Sequence, residues 1–256
     1  MIWLGIAALA AAGIGAYMSW SSNSKLKQIA ATETSTAADL RAARESAGSG
    51  AFRQPCEITG QVLPHKNGSL RAPLSGEECV WHSHKITRKY EYTRRDSQGN
   101  RRRRTGTEVA AEKSSSTAFF VQDATGRTVV HPGGQKVTGA ERVIDDFQPS
   151  YGDDGGSHLE LGPIKLKIGN RARTIGFKRE EWIVRPGSPF YVLGEARAQP
   201  GRGLSVNKPA DGAFILSVKS ETSLRRGELL KSLGFGIGAM VAAVGGVALL
   251  AVELLG

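Results

Sequence analysis

The chain has 256 residues, 40% of them hydrophobic, and its 34 lysine and arginine residues outnumber 24 aspartate and glutamate residues, which gives a net charge of +10. Two cysteines are too few for a domain that holds two zinc ions in tetrahedral sites of Cys and His ligands, so that class is excluded. The positive surplus favours acidic partner surfaces, and +7 of it falls between Lys85 and Arg104.

Residues 1–20 are predicted to form a transmembrane helix. The 19 residues from Ile2 to Trp20 carry no charge, and as a helix they extend about 28 Å, close to the thickness of the hydrocarbon core of a bilayer. A cleaved signal peptide is the alternative, and it needs a basic stretch before the apolar run and a small-residue cleavage site after it. The sequence has no such basic stretch and only a poor cleavage site. We therefore expect the helix to remain as an anchor.

Residues 21–50 are predicted to form a polar stalk that is partly helical. Serine, threonine, alanine and scattered charges dominate this segment. Its helical stretch ends before Gly48 and Gly50 and has no apolar stripe that a core could bury.

Residues 51–222 are predicted to form one β-rich domain, because this segment is long enough to bury its own core. Short runs of β-branched and aromatic residues alternate with turn clusters, a pattern typical of a barrel or a sandwich. The predicted fold class is therefore mainly β, barrel- or sandwich-like, flanked by two transmembrane α-helices. The acidic, glycine-rich segment Asp145–His158 lacks the ligand spacing of a calcium loop and is predicted to be a solvated loop.

A basic hairpin is predicted around a turn at Asp96–Asn100. Nine basic side chains of this hairpin are candidates for contact with an anionic surface: Lys85, Arg88, Lys89, Arg94, Arg95, Arg101, Arg102, Arg103 and Arg104. Three interpretations stay open: a merely solvated hairpin, a surface for anionic lipid head groups or an acidic membrane partner, and a nucleic-acid surface. Nucleic acid is the least favoured, because no single-strand stacking platform or recognition-helix motif accompanies the arginines.

Two histidines and two cysteines are the candidate metal ligands. His82 and His84 share one face of the predicted strand, but a zinc site needs at least one further protein ligand, and the sequence places none. We predict no metal site and expect Trp81, on the other face, to lie in the core. Cys56 and Cys79 could pair in an oxidising compartment or stay reduced and buried in the cytoplasm, and both alternatives remain open.

Residues 233–255 are predicted to form a second transmembrane helix, about 34 Å long, with Glu253 as its only charge. Gly234 and Gly238 have the spacing that lets two helices approach closely, so we expect pairing with the first helix or with another copy of the chain. All lysines and arginines lie between the two helices. This bias predicts a multi-pass protein of the cell membrane, with the central domain in the cytoplasm and both termini outside.

Several motifs follow one another in an order known from one family. They are "CEITG" from Cys56, "LRAPLSGEECVWHSHKI" from Leu70, "STAFFVQDATGRTVVHP", "REEWIVRPGSPFYVLGEARA" and "FILSVKSETSLRRGELLKSLG". This sequence resembles the GIDE domain, also called the beside-a-membrane (BAM) domain. The residues that carry the resemblance are Cys56, Gly60, Pro73, Leu74, Gly76, Cys79, Trp81, Trp182, Tyr191 and Gly194.

The resemblance implies a relative of a mitochondrial RING-type E3 ubiquitin ligase, in which this domain lies between two transmembrane helices and a RING follows. Protein ubiquitination and organelle organisation are the processes that it implies. Both cysteines of this sequence precede the second predicted helix, and the chain ends at Gly256. We therefore expect no RING here.

The sequence shows no catalytic constellation and no cofactor motif, and single carboxylates such as Glu180, Glu181 and Glu195 are predicted to form salt bridges or face solvent. We predict a membrane-anchored, non-catalytic binding or scaffold module beside the bilayer. Its expected partners are the membrane, anionic lipid head groups or a membrane protein, and another copy through the glycine-rich helix. The alternative is an E3 ubiquitin transferase-related protein or a component of such a ligase.

Overall fold

The computed structural model describes residues 2–48, 50–95, 97, 99–150, 158–161, 164–167, 172–199, 202–220, 223, 229–230, 233–235 and 237–247. The chain divides into two compact units. One comprises residues 35–209 and 214–218, and the other comprises residues 1–34, 210–213 and 219–256.

Most regular elements of the described residues are strands. The elements in chain order are α1 (Ile2–Ala31), α2 (Ala37–Ser46), β1 (Phe52–Pro64), β2 (Leu70–Arg71), β3 (Glu78–Cys79), β4 (Trp81–Arg95), β5 (Arg101–Ser114), β6 (Phe119–Asp123), β7 (Gly126–Val130), β8 (Val137–Thr138), β9 (Glu141–Pro149), β10 (His158–Leu161), β11 (Ile164–Lys167), β12 (Arg173–Val184), β13 (Pro189–Gln199), β14 (Arg202–Asn207) and β15 (Ile215–Ser217). The prediction of a mainly β fold is thus confirmed.

Five strands close into a small barrel in the order β1, β6, β7, β14 and β13, because β13 pairs back onto β1. β1 is long enough to pair with two strands. Its residues Phe52–Gln61 pair with β13, and Gln61–Pro64 pair with β6. The change of partner occurs beside Gly60, where a Cβ atom would lie 2.2 Å from the carbonyl oxygen of Gln122. Only glycine fits this approach of two backbones.

The barrel encloses the main hydrophobic core. Its buried side chains include Cys56, Ile58, Val62, Phe119, Val130, Phe190, Val192, Val206 and Leu216. The rings of Phe119 and Phe190 meet edge to face at 5.3 Å, a favoured geometry for aromatic pairs. Trp81 also belongs to this core and is 1% exposed, as predicted.

Helix α2 packs onto the barrel and is not a polar stalk. Leu40 is 1% exposed and belongs to the barrel core, a burial that stabilises the fold by about 2 kcal/mol. The N-terminus of α2 is fixed by a capping box between Thr36 and Asp39 and by hydrogen bonds from the backbone N–H of Ala37 to Asp123 (2.7 Å). The prediction of a stalk over 21–50 was wrong for this part, because one leucine and a few alanines suffice to bury a short helix.

A second, four-stranded sheet has the order β5, β4, β12 and β9. β4 and β5 continue beyond their neighbours as a two-stranded ribbon, since Glu91 is the last residue of β4 that pairs with β12 whereas pairing with β5 reaches Arg95. This ribbon is the predicted basic hairpin. Asp96 and Gln98 of its turn lie outside the described residues, as do residues 151–157 of the predicted acidic loop.

The other unit contains α1 and the helical residues 233–235 and 237–247. Small residues of the two helices meet: a Cβ atom on Gly15 would lie 3.1 Å from Cβ of Ala239 and 3.3 Å from the carbonyl oxygen of Phe235. A Cβ atom on Gly234 or Gly238 would have nothing within 4 Å, so these two glycines do not form the contact with α1, and their pairing with another copy of the chain stays a prediction. The close approach uses Gly15 because that residue lies on the face of α1 turned to the second helix.

Among the described residues, no helix combines the length and the apolarity that crossing a bilayer requires. The prediction of a membrane-spanning helix at each end is therefore not supported by them. Residues 236 and 248–255 of the second predicted helix lie outside the described residues.

Candidate anion-binding ribbon and motif loop

The ribbon of β4 and β5 presents most of the predicted basic residues to solvent. Arg94 lies directly opposite Arg102, and Arg95 lies directly opposite Arg101. Because side chains alternate along a strand, these two pairs point to opposite faces of the ribbon. The ribbon therefore concentrates positive charge on both faces near its turn. Like charges that lie directly opposite each other destabilise an antiparallel pair of strands.

Arg88 does not belong to this exposed surface. It is 4% exposed, and its guanidinium donates to Glu108, Thr174 and the carbonyl oxygen of Ala172, each at 2.8 Å. A buried guanidinium needs such partners. Arg88 thus joins three segments of the second sheet, and its predicted role as a surface contact does not fit its position.

Lys85 and Lys89 lie on one face, together with other charged side chains. Lys85 is opposite Glu112 in the register of β4 and β5. Lys89 lines an open groove whose other lining residues are Thr87, Thr107, Asp145, Asp146, Phe147 and Lys178. Since carboxylates share this groove, it is a mixed-charge surface and not a purely cationic one.

The segment between β2 and β3, residues 72–77, forms a loop that we call the motif loop. The buried carboxylate of Glu181 holds it by accepting the backbone N–H groups of Leu74 (2.9 Å) and Ser75 (2.8 Å). Gly76 completes the turn with φ of +73°, a conformation that favours glycine. The prediction that Glu181 is salt-bridged or solvent-exposed was wrong, because its partners are backbone groups distant in sequence.

His82 and His84 lie on the same face of β4, as predicted, and Glu181 is directly opposite His84. Burial lowers the pKa of both histidines, in His82 with a further contribution from His84. The buried Nδ1 atoms of both rings have no hydrogen-bond partner among the described residues. No group of three or more His, Cys, Asp or Glu side chains in the described part of the chain could hold a metal ion.

Cys56 and Cys79 are both free and buried. They belong to different hydrophobic clusters, Cys56 to the barrel core and Cys79 to a cluster with Ala72 and Ile183. Burial raises the pKa of the Cys56 thiol to about 12 and that of Cys79 to about 11. The sequence left open whether the two cysteines pair or stay reduced, and in the structure both are unpaired, buried thiols.

Two of the remaining motif residues, Gly194 and Trp182, lie in or beside the barrel core. A Cβ atom on Gly194, opposite Cys56 in β13, would lie 3.0 Å from the carbonyl oxygen of Asn207. Trp182 packs against the barrel core. Pro73 precedes Leu74 in the motif loop.

Sequence reasoning missed two polar clusters. Tyr191 donates its hydroxyl to the buried carboxylate of Glu57 at 2.8 Å inside the barrel wall. Arg185 donates to Glu141 and Glu77, and these hydrogen bonds raise the pKa of the Arg185 guanidinium above its ordinary value. Alternation along β1 would place Glu57 with the exposed residues Arg53, Pro55, Thr59 and Gln61, so no local signal marked the first cluster.

A family model described as GIDE, E3 ubiquitin ligase, matches residues 89–251, which is more than half of the chain. The match begins within β4 and includes the exposed ribbon, β12, β13 and the helical residues 237–247. No curated protein and no solved structure was found to match.

Proposed function

The chain belongs to the GIDE family, and on that premise we propose that it is a non-catalytic binding or scaffold module held beside a membrane. The β body supplies the binding surfaces, and the helices of the other unit supply the attachment to lipid. The family's ligase description supports a relation to ubiquitination, and this chain contributes recognition to that process.

The arrangement of the two helices is the observation that carries the membrane part of this proposal. Among the residues of α1 whose burial is described, the buried and half-buried ones are small: Ala8, Ala12, Gly15, Ser19 and Ser21. Those of the second helix are Phe235, Ala239, Ala242, Ala243 and Gly246, of which all but Phe235 are small.

Large apolar side chains point outward from both helices instead of inward. Trp3 is 82% exposed, Ile14 63% and Ile237 64%. Helices that pack in water bury their large apolar side chains, whereas helices that pack in lipid bring small residues together. An exposed apolar surface on this scale marks an interaction site, and lipid is the partner that surrounds a helix pair on all sides.

Two observations support the non-catalytic part of the proposal: the small number of cysteines and the structural hydrogen bonds of two buried carboxylates. Zinc sites of a RING need four ligands for each ion, and these 256 residues contain two cysteines, both buried in the β body. The carboxylate of Glu181 holds the motif loop, and that of Glu57 accepts from Tyr191. These groups stabilise the fold, so they are not available for proton transfer.

The exposed arginines support an anionic partner. Arg94, Arg95 and Arg101–Arg104 are all exposed on the ribbon. Each basic group near an anionic leaflet contributes about 1 kcal/mol to binding. We therefore propose anionic lipid head groups as the partner of the ribbon. The central domain's position on the cytoplasmic side and self-association through the helices stay predictions.

A reconstituted ubiquitination reaction tests the non-catalytic part. The full chain, purified in an uncharged detergent, is incubated with ubiquitin, activating enzyme and conjugating enzymes. We expect no ubiquitin chains above the reaction without the protein. Chain formation would instead support the second candidate, an E3 ubiquitin transferase, which the description of the family favours.

Flotation tests the membrane part. The full chain, added while vesicles of uncharged lipid form, is expected to float with them. Replacing Ile14 and Ile237 with Asp should release it, whereas the matched control, Val109→Asp with Phe147→Asp on exposed apolar positions of the β body, should not. Equal flotation of the two variants would contradict the assignment of the anchor to the helices.

A further inference from the structure

Two hydroxyl side chains of the ribbon follow a pair of arginines at the same spacing. Ser97 comes three and two residues after Arg94 and Arg95 in the sequence "RRDS", and Thr105 has the same spacing in "RRRT". No other serine or threonine of the 256-residue sequence has arginine at both positions. Protein kinases select substrates in part by such charge patterns, because carboxylates of the kinase bind guanidinium forks of the substrate. The sequence therefore offers two candidate phosphorylation sites and does not choose between them.

The structure places the two hydroxyls differently. Thr105 lies within β5, directly opposite Glu91 of β4. Ser97 lies outside both strands and is exposed in the turn that joins them. A kinase binds its substrate as an extended segment, so a hydroxyl within a paired strand has to leave the ladder by local unfolding before it reacts. Ser97 therefore needs the smaller rearrangement.

The arginines that precede the two hydroxyls also differ. Arg103 forms an ion pair with Glu91 at 3.2 Å, and Arg102 has an interaction of its own. Arg94 and Arg95 are exposed, and neither forms an ion pair with another described residue. The arginine pair before the serine is therefore available to a kinase, whereas the pair before the threonine already has partners.

The end of the ribbon can open at little cost. Beyond Glu91, the described part of the chain gives β4 no partner but β5, and an isolated two-stranded hairpin is marginally stable. Two pairs of arginines lie directly opposite each other there, Arg94 with Arg102 and Arg95 with Arg101. Because like charges across an antiparallel pair destabilise it, the segment that leads to the turn can leave the ladder and enter a kinase in extended form.

The arginines beside Ser97 can hold a phosphate once it is attached. Ser97 lines a cleft of about 290 Å³ together with Arg94, Arg95, Arg102 and Arg104. Side chains of both faces of the ribbon reach this cleft because it lies at the turn. A phosphoserine carries a charge of about −1.5 to −2 and three acceptor oxygens, which guanidinium forks bind in pairs. Arg102 has another interaction, so the other three arginines are the expected donors.

We propose that Ser97 is a phosphorylation site for an arginine-directed protein kinase, and that arginines of this cleft hold the phosphate. In the transfer, the hydroxyl oxygen of Ser97 attacks the γ-phosphorus of ATP bound to the kinase. The proton of the hydroxyl passes to a carboxylate of the kinase, and ADP leaves with the electron pair of the broken P–O bond. ATP is present in the cytoplasm, which is the side predicted for this domain.

The phosphate would change the surface that the proposed function assigns to anionic lipid. It removes up to about two of the +7 charges between Lys85 and Arg104. Release of a basic segment from anionic lipid by phosphorylation is an electrostatic switch. This consequence rests on the proposed function, whereas the site itself does not.

A kinase assay on the full chain tests the site. The protein in an uncharged detergent is incubated with ATP and the catalytic subunit of cyclic AMP-dependent protein kinase, which selects arginine at these two positions, and phosphate is mapped by mass spectrometry. We expect phosphate on Ser97 and none at this position in the S97A variant. A chain that takes up no phosphate on Ser97 would overturn the proposal.

Two synthetic peptides, of residues 91–99 and 99–107, show what the sequence alone prefers. The ratio of the rate at Ser97 to the rate at Thr105 should be about tenfold larger in the folded chain than between the peptides, because the strand has to open before Thr105 reacts. Equal ratios would show that the fold does not select the turn.

Two double variants with the same loss of charge test the arginine pair. R94S/R95S should lower kcat/KM for phosphorylation about tenfold or more, whereas R101S/R103S should change it by about twofold. Equal losses would show that the kinase responds to the total charge of the ribbon, which would overturn the assigned motif.

Phosphorus NMR tests the cleft in the phosphorylated chain. The second pKa of a phosphoserine is about 6, and contact with guanidinium groups lowers it because they stabilise the dianion. The pKa should therefore be lower in the protein than in the phosphorylated peptide of residues 91–99. R104S should return it toward the peptide value, and R101S, which removes the same charge outside the cleft, should move it less. Equal shifts in the two variants would refute the cleft.

Titration with dioctanoyl phosphatidylglycerol tests the consequence for lipid. In the same detergent, the phosphorylated chain should bind this lipid about tenfold more weakly than the unmodified chain, and equal affinity would overturn the switch. Failure of both forms to bind would contradict the lipid partner of the proposed function and not the site. The kinase assay and the NMR measurement need no lipid, so their outcome is separate from the flotation and ubiquitination results.

Discussion

Glu181 and Leu74, 107 residues apart in the sequence, are joined by a hydrogen bond of 2.9 Å from the backbone N–H of Leu74 to the buried carboxylate. The second carboxylate oxygen accepts the N–H of Ser75 at 2.8 Å. One side chain of β12 thereby fixes the loop between β2 and β3. It also explains why a carboxylate is completely buried in this sheet, since charged acceptors are stable in a protein interior when both oxygens are satisfied.

Replacing Glu181 with Gln is expected to lower the free energy of unfolding by about 1.5–3 kcal/mol, the range for hydrogen bonds to a charged group. The amide has one acceptor oxygen, so one of the two loop N–H groups loses its partner. Denaturant unfolding measures the change, and hydrogen exchange at Leu74 and Ser75 should accelerate.

Glu180→Gln is the matched control, because the half-buried Glu180 lies on the other face of β12 and forms ion pairs with the exposed side chains of Lys178 and Arg142. Its effect should stay within about 1 kcal/mol. A Glu181→Gln protein as stable as this control would show that the carboxylate does not hold the loop.

Gly60→Ala is expected to destabilise the barrel by about 3 kcal/mol, at the upper end of the usual cost of overpacking. The added methyl group would lie 2.2 Å from the carbonyl oxygen of Gln122, and that backbone belongs to the neighbouring strand β6. Thermal unfolding measures the loss. Gly203→Ala, where nothing lies within 4 Å of the added carbon, should leave the stability nearly unchanged, and similar effects of the two substitutions would contradict the close approach of β1 and β6.

The two thiols are expected to resist alkylation in the native protein at pH 8. Burial raises the pKa of Cys56 to about 12 and that of Cys79 to about 11, so the reactive thiolate is rare at that pH. Iodoacetamide labelling followed by mass spectrometry should detect modification of both residues only after denaturation. Rapid native labelling of Cys56 would contradict its place in the barrel core.

The stability of the β body should decrease as the pH falls below about 6.5, the ordinary pKa of histidine. Burial holds the pKa values of His82 and His84 below that value in the folded chain. The unfolded chain therefore binds protons first, and the contribution of the neutral histidines is complete above this pH and is lost below it.

Urea unfolding at pH 7.5 and at pH 5.5 measures this dependence. The double variant H82Q/H84Q should show a smaller difference between the two pH values than the natural chain. An unchanged difference would place the titrating groups elsewhere.

The features that sequence could predict are those fixed by local patterns. Alternating β-branched and aromatic residues predicted the mainly β fold, and the two-residue period of β4 placed His82 with His84 and Trp81 in the core. The fate of polar side chains was not predictable in the same way. Arg88 and Glu181 are buried because partners 84 to 107 residues away in sequence reach them, and no local pattern reveals such pairs.

The contact between the two helices was also not predictable from a local pattern. Glycine spacing predicted Gly234 and Gly238 as the contact, but Gly15 meets Phe235 and Ala239 instead. Gly234 and Gly238 are four positions apart, as are Phe235 and Ala239, so the rotation of the second helix about its axis decides which of the two pairs faces α1.

Sedimentation of lysate from cells that produce the full chain tests the proposed membrane attachment most directly. The protein is predicted to remain in the high-speed pellet after washing with alkaline carbonate and to leave it on addition of detergent. Its recovery in the supernatant without detergent would contradict the account.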